Sequence, residues 1–256
     1  MRGAQAIGRQ GEVLMSEDTL PRRRFLLGAG LAGTAIAAGL ADPVEAQQQP
    51  TMPPAVPQSP SAQEAEPFVT LTASEAAFII AAVDTLIPAD ELSPSGSDCG
   101  VAVFIDRQLG SAWGGGAKMY RAGPFVKGKP EQGYQLPLTP REYFAAGIAA
   151  ANAWTRKTYG AKDFDRLAPA DRVAALKAME DGKAAFEHVD ARAFFAQLLA
   201  ITQAGFFADP VYGGNRDKIG WKLLGFPGLP ATYADKVDAY RDKRYVADPQ
   251  SIADFS

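Results

Sequence analysis

Between Gln47 and Pro67 the chain places six prolines in 21 positions, with Gln, Ser and Ala filling much of the rest. Proline locks φ and removes a backbone donor, and the tract holds too little apolar surface to build a core. It reads as an extended linker. That linker divides the chain into an N-terminal segment at 1–46, the linker at 47–67, a folded domain at 68–245 and a tail at 246–256.

Beyond the linker the dominant period is helical. Thr72-Ala73-Ser74-Glu75 has the form of a capping box, and Ala76, Ile79, Ile80, Val83, Leu86 and Ile87 follow at helical spacing until Pro88. A second helix is predicted from about Val101 to Leu109, with Val101, Phe104, Ile105 and Leu109 inward. Trp113-Gly114-Gly115-Gly116 breaks the pattern, and an irregular stretch runs to about Pro137. Loops of that length inside one domain usually have a job or a partner.

Thr139-Pro140-Arg141-Glu142 opens a third helix with Pro at its first position and Glu at its third, and Gly160 ends it. Tyr143, Phe144, Ile148, Ala151 and Trp154 mark its inner face. A fourth helix begins at Ala168-Pro169, with Val173, Leu176 and Met179 as apolar positions. A fifth spans about Ala191 to Phe207, where Phe194, Phe195, Leu198, Leu199 and Phe206 form one face. No run of alternating β-branched residues argues for a sheet. The expected fold class is mainly α: a compact domain of about five to six helices with long aromatic-bearing loops.

The N-terminal segment reads as an export signal. Arg22 and Arg23, one spacer, then Phe25-Leu26 form the pattern that the twin-arginine translocase recognises, and the apolar run to Ala41 supplies its hydrophobic region. Val44-Glu45-Ala46 offers a cleavage site, giving a mature chain from Gln47; retention as a membrane anchor is the alternative. Met15 is a second candidate start. Gly28-Ala29-Gly30-Leu31-Ala32-Gly33 matches a dinucleotide fingerprint, but that motif needs a preceding strand and a βαβ unit, not three arginines and a proline-rich sequel. The expected location is the periplasm or the periplasmic face of the inner membrane.

Composition narrows the chemistry. After residue 46 the chain holds 21 basic and 24 acidic side chains, which gives no basic surface for nucleic acid. One cysteine, Cys99, and one histidine, His188, are too few for an attached c-type haem, a structural zinc site or an iron–sulfur cluster. Cys99, beside the turn Ser97-Asp98, is either a buried thiol or a candidate inter-subunit thiol. His188 reads as a solvated or capping residue. A carboxylate pair such as Asp209 with Asp217 would offer acid–base chemistry, yet nothing in the sequence sets a nucleophile, a base and an oxyanion site together.

The most distinctive segment is 209–228: Asp209-Pro210-Val211-Tyr212-Gly213-Gly214-Asn215-Arg216-Asp217, then Gly220-Trp221-Lys222, then Gly225-Phe226-Pro227-Gly228. Asp-Pro starts a turn, Gly-Gly-Asn permits positive φ, and Trp221 and Phe226 are large anchors. One reading is a loop that caps a helical core. As a whole, however, the segment resembles the signature of the gluconate 2-dehydrogenase subunit 3 family. Gly100 to Asp106 resembles the family's second helix, and Tyr120 with Gly123-Pro124-Phe125 resembles its central loop. Thr139-Pro140 and Phe164 with Leu167 also fall in place, so the resemblance covers roughly 70 to 235.

The resemblance implies a small, or gamma, subunit with no cofactor of its own. Its implied partners are an FAD-dependent GMC-type dehydrogenase large subunit, acting on a sugar, sugar acid or polyol, and a multihaem cytochrome c subunit. The twin-arginine translocase would be a third, transient partner. The small subunit's implied role is folding, export and stability of the flavoprotein; a stand-alone periplasmic scaffold or chaperone is the alternative. Aromatic side chains bury much area for few rotatable bonds. The candidate interface residues are therefore Trp113, Tyr120, Phe125, Tyr212, Trp221 and Phe226, with Asn215 and Arg216 beside them.

Overall fold

The computed structural model describes residues 67–255 apart from Lys127, Pro130, Glu131 and Ala231. The export signal at Arg22, Arg23, Phe25 and Leu26 and the linker up to residue 66 lie outside the described residues. Among the described residues six α-helices follow in order: α1 (Ala73–Leu86), α2 (Val101–Gly110), α3 (Pro140–Thr158), α4 (Pro169–Glu180), α5 (Ala191–Phe207) and α6 (Ile219–Leu224). Short 3-10 turns at Phe164–Arg166, Pro210–Tyr212 and Arg216–Lys218 lie between them, another at Ile252–Phe255 follows α6, and no strand occurs among the described residues. The fold is mainly α, as the helical period requires.

Helix starts follow local chemistry. The Thr72 hydroxyl caps α1, and the Glu75 carboxylate returns the favour by accepting the Thr72 N–H at 2.8 Å. Thr139 and Glu142 repeat the arrangement at α3, with Pro140 in the first turn. Asp190 caps α5 by accepting the Ala193 N–H at 2.8 Å. Gly100, at φ 80°, turns the chain into α2.

Helix α1 is the central element and packs against α2, α3, α4 and α5. Accordingly Phe78, Ile79, Ala82 and Val83 are all fully buried, a wider apolar surface than a single stripe. Phe78 sits against Phe164, ring centroids 4.9 Å apart, and Phe144 against Phe194 at 5.9 Å. Burying each such side chain stabilises the fold by roughly 1.5–3 kcal/mol. Glycines set two crossings: a Cβ on Gly147 would stand 2.1 Å from the Phe194 ring, and one on Gly205 would stand 2.8 Å from the Phe104 ring. In α4, Leu176 and Met179 are buried but Val173 is exposed, because the helix offers only one short face to α1 and α5.

Asp106 is the main polar group in this core. Its carboxylate accepts the backbone N–H groups of Val69, Thr70 and Leu71 at 2.8–2.9 Å, tying the bend ahead of α1 to the middle of α2. Lone acidic residues on a buried helix face are expensive unless paired in this way. The stretch between α2 and α3 is irregular, as its glycines demand, but anchored: Arg141 N–H donates to the Gly114 carbonyl, and the Tyr134 ring stacks on Tyr143.

Candidate functional site

The 209–228 segment wraps the end of α5 and touches the turn ahead of α2. Asp209 caps the first 3-10 turn by accepting the Val211 N–H at 3.0 Å. Gly213 then adopts φ 95° and Asn215 φ 47°, bringing the chain back on itself. Asn215 is fully buried, at 0 % exposure. Its Nδ2 donates to the Ala208 carbonyl at 2.8 Å, and its Oδ1 accepts the Gly220 N–H at 2.8 Å, so one amide staples both ends of the loop.

Arg216 faces the other way. Its N–H donates to the Cys99 carbonyl at 2.9 Å, and its guanidinium donates to the Asp98 carbonyl at 3.0 Å. Trp221 is 6 % exposed, and its indole N–H donates to the Phe207 carbonyl at 2.8 Å. Thus Asn215, Arg216 and Trp221, three of the candidate interface residues, are engaged inside the chain. Residue type alone could not separate them from their neighbours, since a tryptophan suits a core and an interface equally well.

The remaining candidates are exposed and fall in two places. Trp113, Tyr120 and Phe125 project from the stretch between α2 and α3, with Tyr120 at 84 % exposure. Tyr212 and Phe226 lie on the 209–228 segment, where Val211, Leu223 and Leu224 are exposed as well. Among the described residues no helix is long and apolar enough to cross a membrane, and no group of three or more His, Cys, Asp or Glu could hold a metal ion.

Three further residues are placed by the structure. Cys99 is 1 % exposed, its thiol 3.7 Å from the Pro94 carbonyl oxygen, so of the two readings the buried thiol describes its place in the fold. His188 is exposed at φ 66°, and the cap of α5 is Asp190 two residues on. Asp209 does not form an acid–base pair: its carboxylate accepts the Ser251 hydroxyl at 2.7 Å and the Ile252 N–H at 3.0 Å. Burial opposes ionisation of Asp209, but the hydrogen bonds from Ile252, Ser251 and Val211 outweigh it and hold the carboxyl below its usual range.

That last contact ties the tail at 246–256 to the 209–228 segment. Gln250 exchanges backbone hydrogen bonds with Pro227 and Leu229, Ser251 is buried, and Lys218 pairs with Asp254 at 2.5 Å. The end of the chain is a clasp on the 209–228 loop. So short an ending carries no periodic signal, and Asp209 gives no local hint of its distant partner.

The comparisons with known proteins agree with this geometry. The family described as gluconate 2-dehydrogenase subunit 3 matches residues 73–228, from the first residue of α1 to the last glycine of the clasped loop. No curated protein and no solved structure searched matches the chain. The matched span takes in all six described helices and more than half of the sequence, and the chain therefore belongs to the gluconate 2-dehydrogenase subunit 3 family.

Proposed function

We propose that this chain is the non-catalytic small subunit of a membrane-associated, FAD-dependent dehydrogenase that oxidises a sugar, sugar acid or polyol. Family membership over 73–228 carries the reading, because it makes the chain an accessory subunit of a dehydrogenase complex. FAD belongs to the partner flavoprotein and haem c to a partner cytochrome; this chain supplies binding surface. Trp113, Tyr120 and Phe125 on one segment, with Tyr212 and Phe226 on the other, are the contacts we assign to the flavoprotein.

Arg22 and Arg23 give that role a second half. The twin-arginine route transports folded cargo, which suits a partner that must take up FAD before leaving the cytoplasm. One signal would then serve two proteins, and the complex would work in the periplasm or on the periplasmic face of the inner membrane. The test is co-expression with the flavoprotein, comparing the parent with an Arg22→Lys, Arg23→Lys double variant. FAD-loaded flavoprotein is expected in the periplasmic fraction with the parent and in the cytoplasm with the variant. Export of the flavoprotein in the absence of this chain would sink the reading.

A further inference from the structure

Charge is unevenly spread along the chain. The 24 positions from Arg107 to Pro130 hold five basic side chains, Arg107, Lys118, Arg121, Lys127 and Lys129, and no acidic one. The whole chain carries 26 basic against 29 acidic side chains, so a run of this length without a carboxylate stands apart from its background. The same stretch places Trp113, Met119, Tyr120, Phe125 and Val126 at the surface, with Val126 at 69 % exposure.

The first half of the stretch is held in place. The Ala117 N–H donates to the Ala112 carbonyl at 2.8 Å, and the Met119 N–H to the Gly116 carbonyl at 3.1 Å. The Arg141 N–H donates to the Gly114 carbonyl at 3.1 Å, which sets the first turn of α3 beside the segment. That turn adds an exposed cation, Arg141, to the exposed Lys118 and Arg121. Its acidic member is Glu142, whose carboxylate already accepts the Thr139 N–H at 2.8 Å and the Thr139 hydroxyl at 2.9 Å. Those bonds first, and then the Arg121 charge, hold the Glu142 carboxyl below its ordinary range. Among the described residues none of the three cations forms an ion pair. One engaged carboxylate therefore stands against three positive charges, and the surplus is presented to the outside on a backbone already partly ordered.

We propose that 113–126 and the first turn of α3 dock on an acidic patch of the flavoprotein. Lys118, Arg121 and Arg141 face its carboxylates, and Trp113, Tyr120 and Phe125 enter apolar hollows among them. The proposal rests on the accessory-subunit reading and adds the chemistry of the partner's surface. Opposite charges speed encounter more than they tighten the final complex, so the signature is kinetic.

Association of the full chain with the purified flavoprotein, followed by surface plasmon resonance in about 50 mM and about 500 mM NaCl, tests it. The association rate is expected to fall by about tenfold or more at the higher salt. A Lys118→Gln, Arg121→Gln, Arg141→Gln variant should associate about tenfold more slowly at low salt and lose most of the salt dependence. It should keep the parent's Tm, since all three side chains are exposed. Association indifferent to salt, or a variant that associates at the parental rate, would overturn the acidic patch and leave the accessory-subunit role intact. No association at either salt would remove both. Sedimentation with phosphatidylglycerol and with phosphatidylcholine vesicles supplies the last arm. Binding to phosphatidylglycerol alone, lost in the variant, together with salt-indifferent association with the flavoprotein, would assign the segment to an anionic membrane surface instead.

Discussion

Gly100 and Gly213 meet backbone to backbone: a methyl group on Gly100 would stand 2.3 Å from the Gly213 carbonyl oxygen. The same seam continues where a Cβ on Gly214 would stand 2.2 Å from the Gly205 carbonyl, and one on Gly220 2.2 Å from that of Phe206. The glycines of the 209–228 segment are thus spacing elements that let this loop lie flat on α5 and on the turn ahead of α2. Its two exposed aromatics depend on that seating for their position.

Gly100→Ala combines this overlap with a φ of 80°. A loss of about 3 kcal/mol or more is expected, since the left-handed backbone alone costs an alanine about 1–2 kcal/mol. Gly133→Ala is the control, because Gly133 has φ 71° but nothing within 4 Å of its Cβ position. It should lose only the backbone part, about 1–2 kcal/mol. Urea unfolding of the two variants reads the difference directly; equal losses would mean that the seam yields.

Asn215→Ala should destabilise the chain by about 2–4 kcal/mol, because it strands the Ala208 carbonyl and the Gly220 N–H inside the loop. Asn215→Asp keeps the acceptor for Gly220 but turns a carboxylate oxygen toward the Ala208 carbonyl. It should not restore the parent's stability in thermal unfolding.

The aromatic candidates divide by burial. Trp113→Ala, Tyr120→Ala and Phe125→Ala combined should change Tm by only about 2 °C, yet weaken retention of the flavoprotein by about tenfold or more. Trp221→Ala should do the opposite first, costing about 3–5 kcal/mol of stability by emptying a core position. Pull-down yield alongside Tm separates the two effects, and a triple variant that co-purifies at parental yield would place the interface elsewhere.

Acid should open the C-terminal clasp. The Asp209 carboxyl sits below its unfolded value, so its contribution is complete above about pH 3.9 and is lost as pH falls through the lower folded value. Asp254 shifts the same way, through the hydrogen bonds from Lys218 and Ser251. Hydrogen exchange at the Ile252 amide should accelerate in that acidic window ahead of exchange in α1. Asp209→Asn should flatten the pH dependence; exchange that stays slow until the whole domain unfolds would contradict the clasp.

The sequence by itself determined the class of fold and the start of each long helix, because those depend on nearest neighbours. Thr72 with Glu75, Thr139-Pro140 with Glu142, and the apolar spacing from Ala191 to Phe207 act within one or two turns. It also singled out 209–228, whose glycines and asparagine announce unusual backbone. Only the tertiary structure decided what those residues face. Arg216 reaches back 118 positions to Asp98, Asp209 reaches forward 42 to Ser251, and Asp106 gathers three amides from more than 30 positions upstream. No local pattern encodes contacts of that separation. Burial sorts a tryptophan such as Trp221 into the core and one such as Trp113 onto the surface, and burial is a property of the assembled helices.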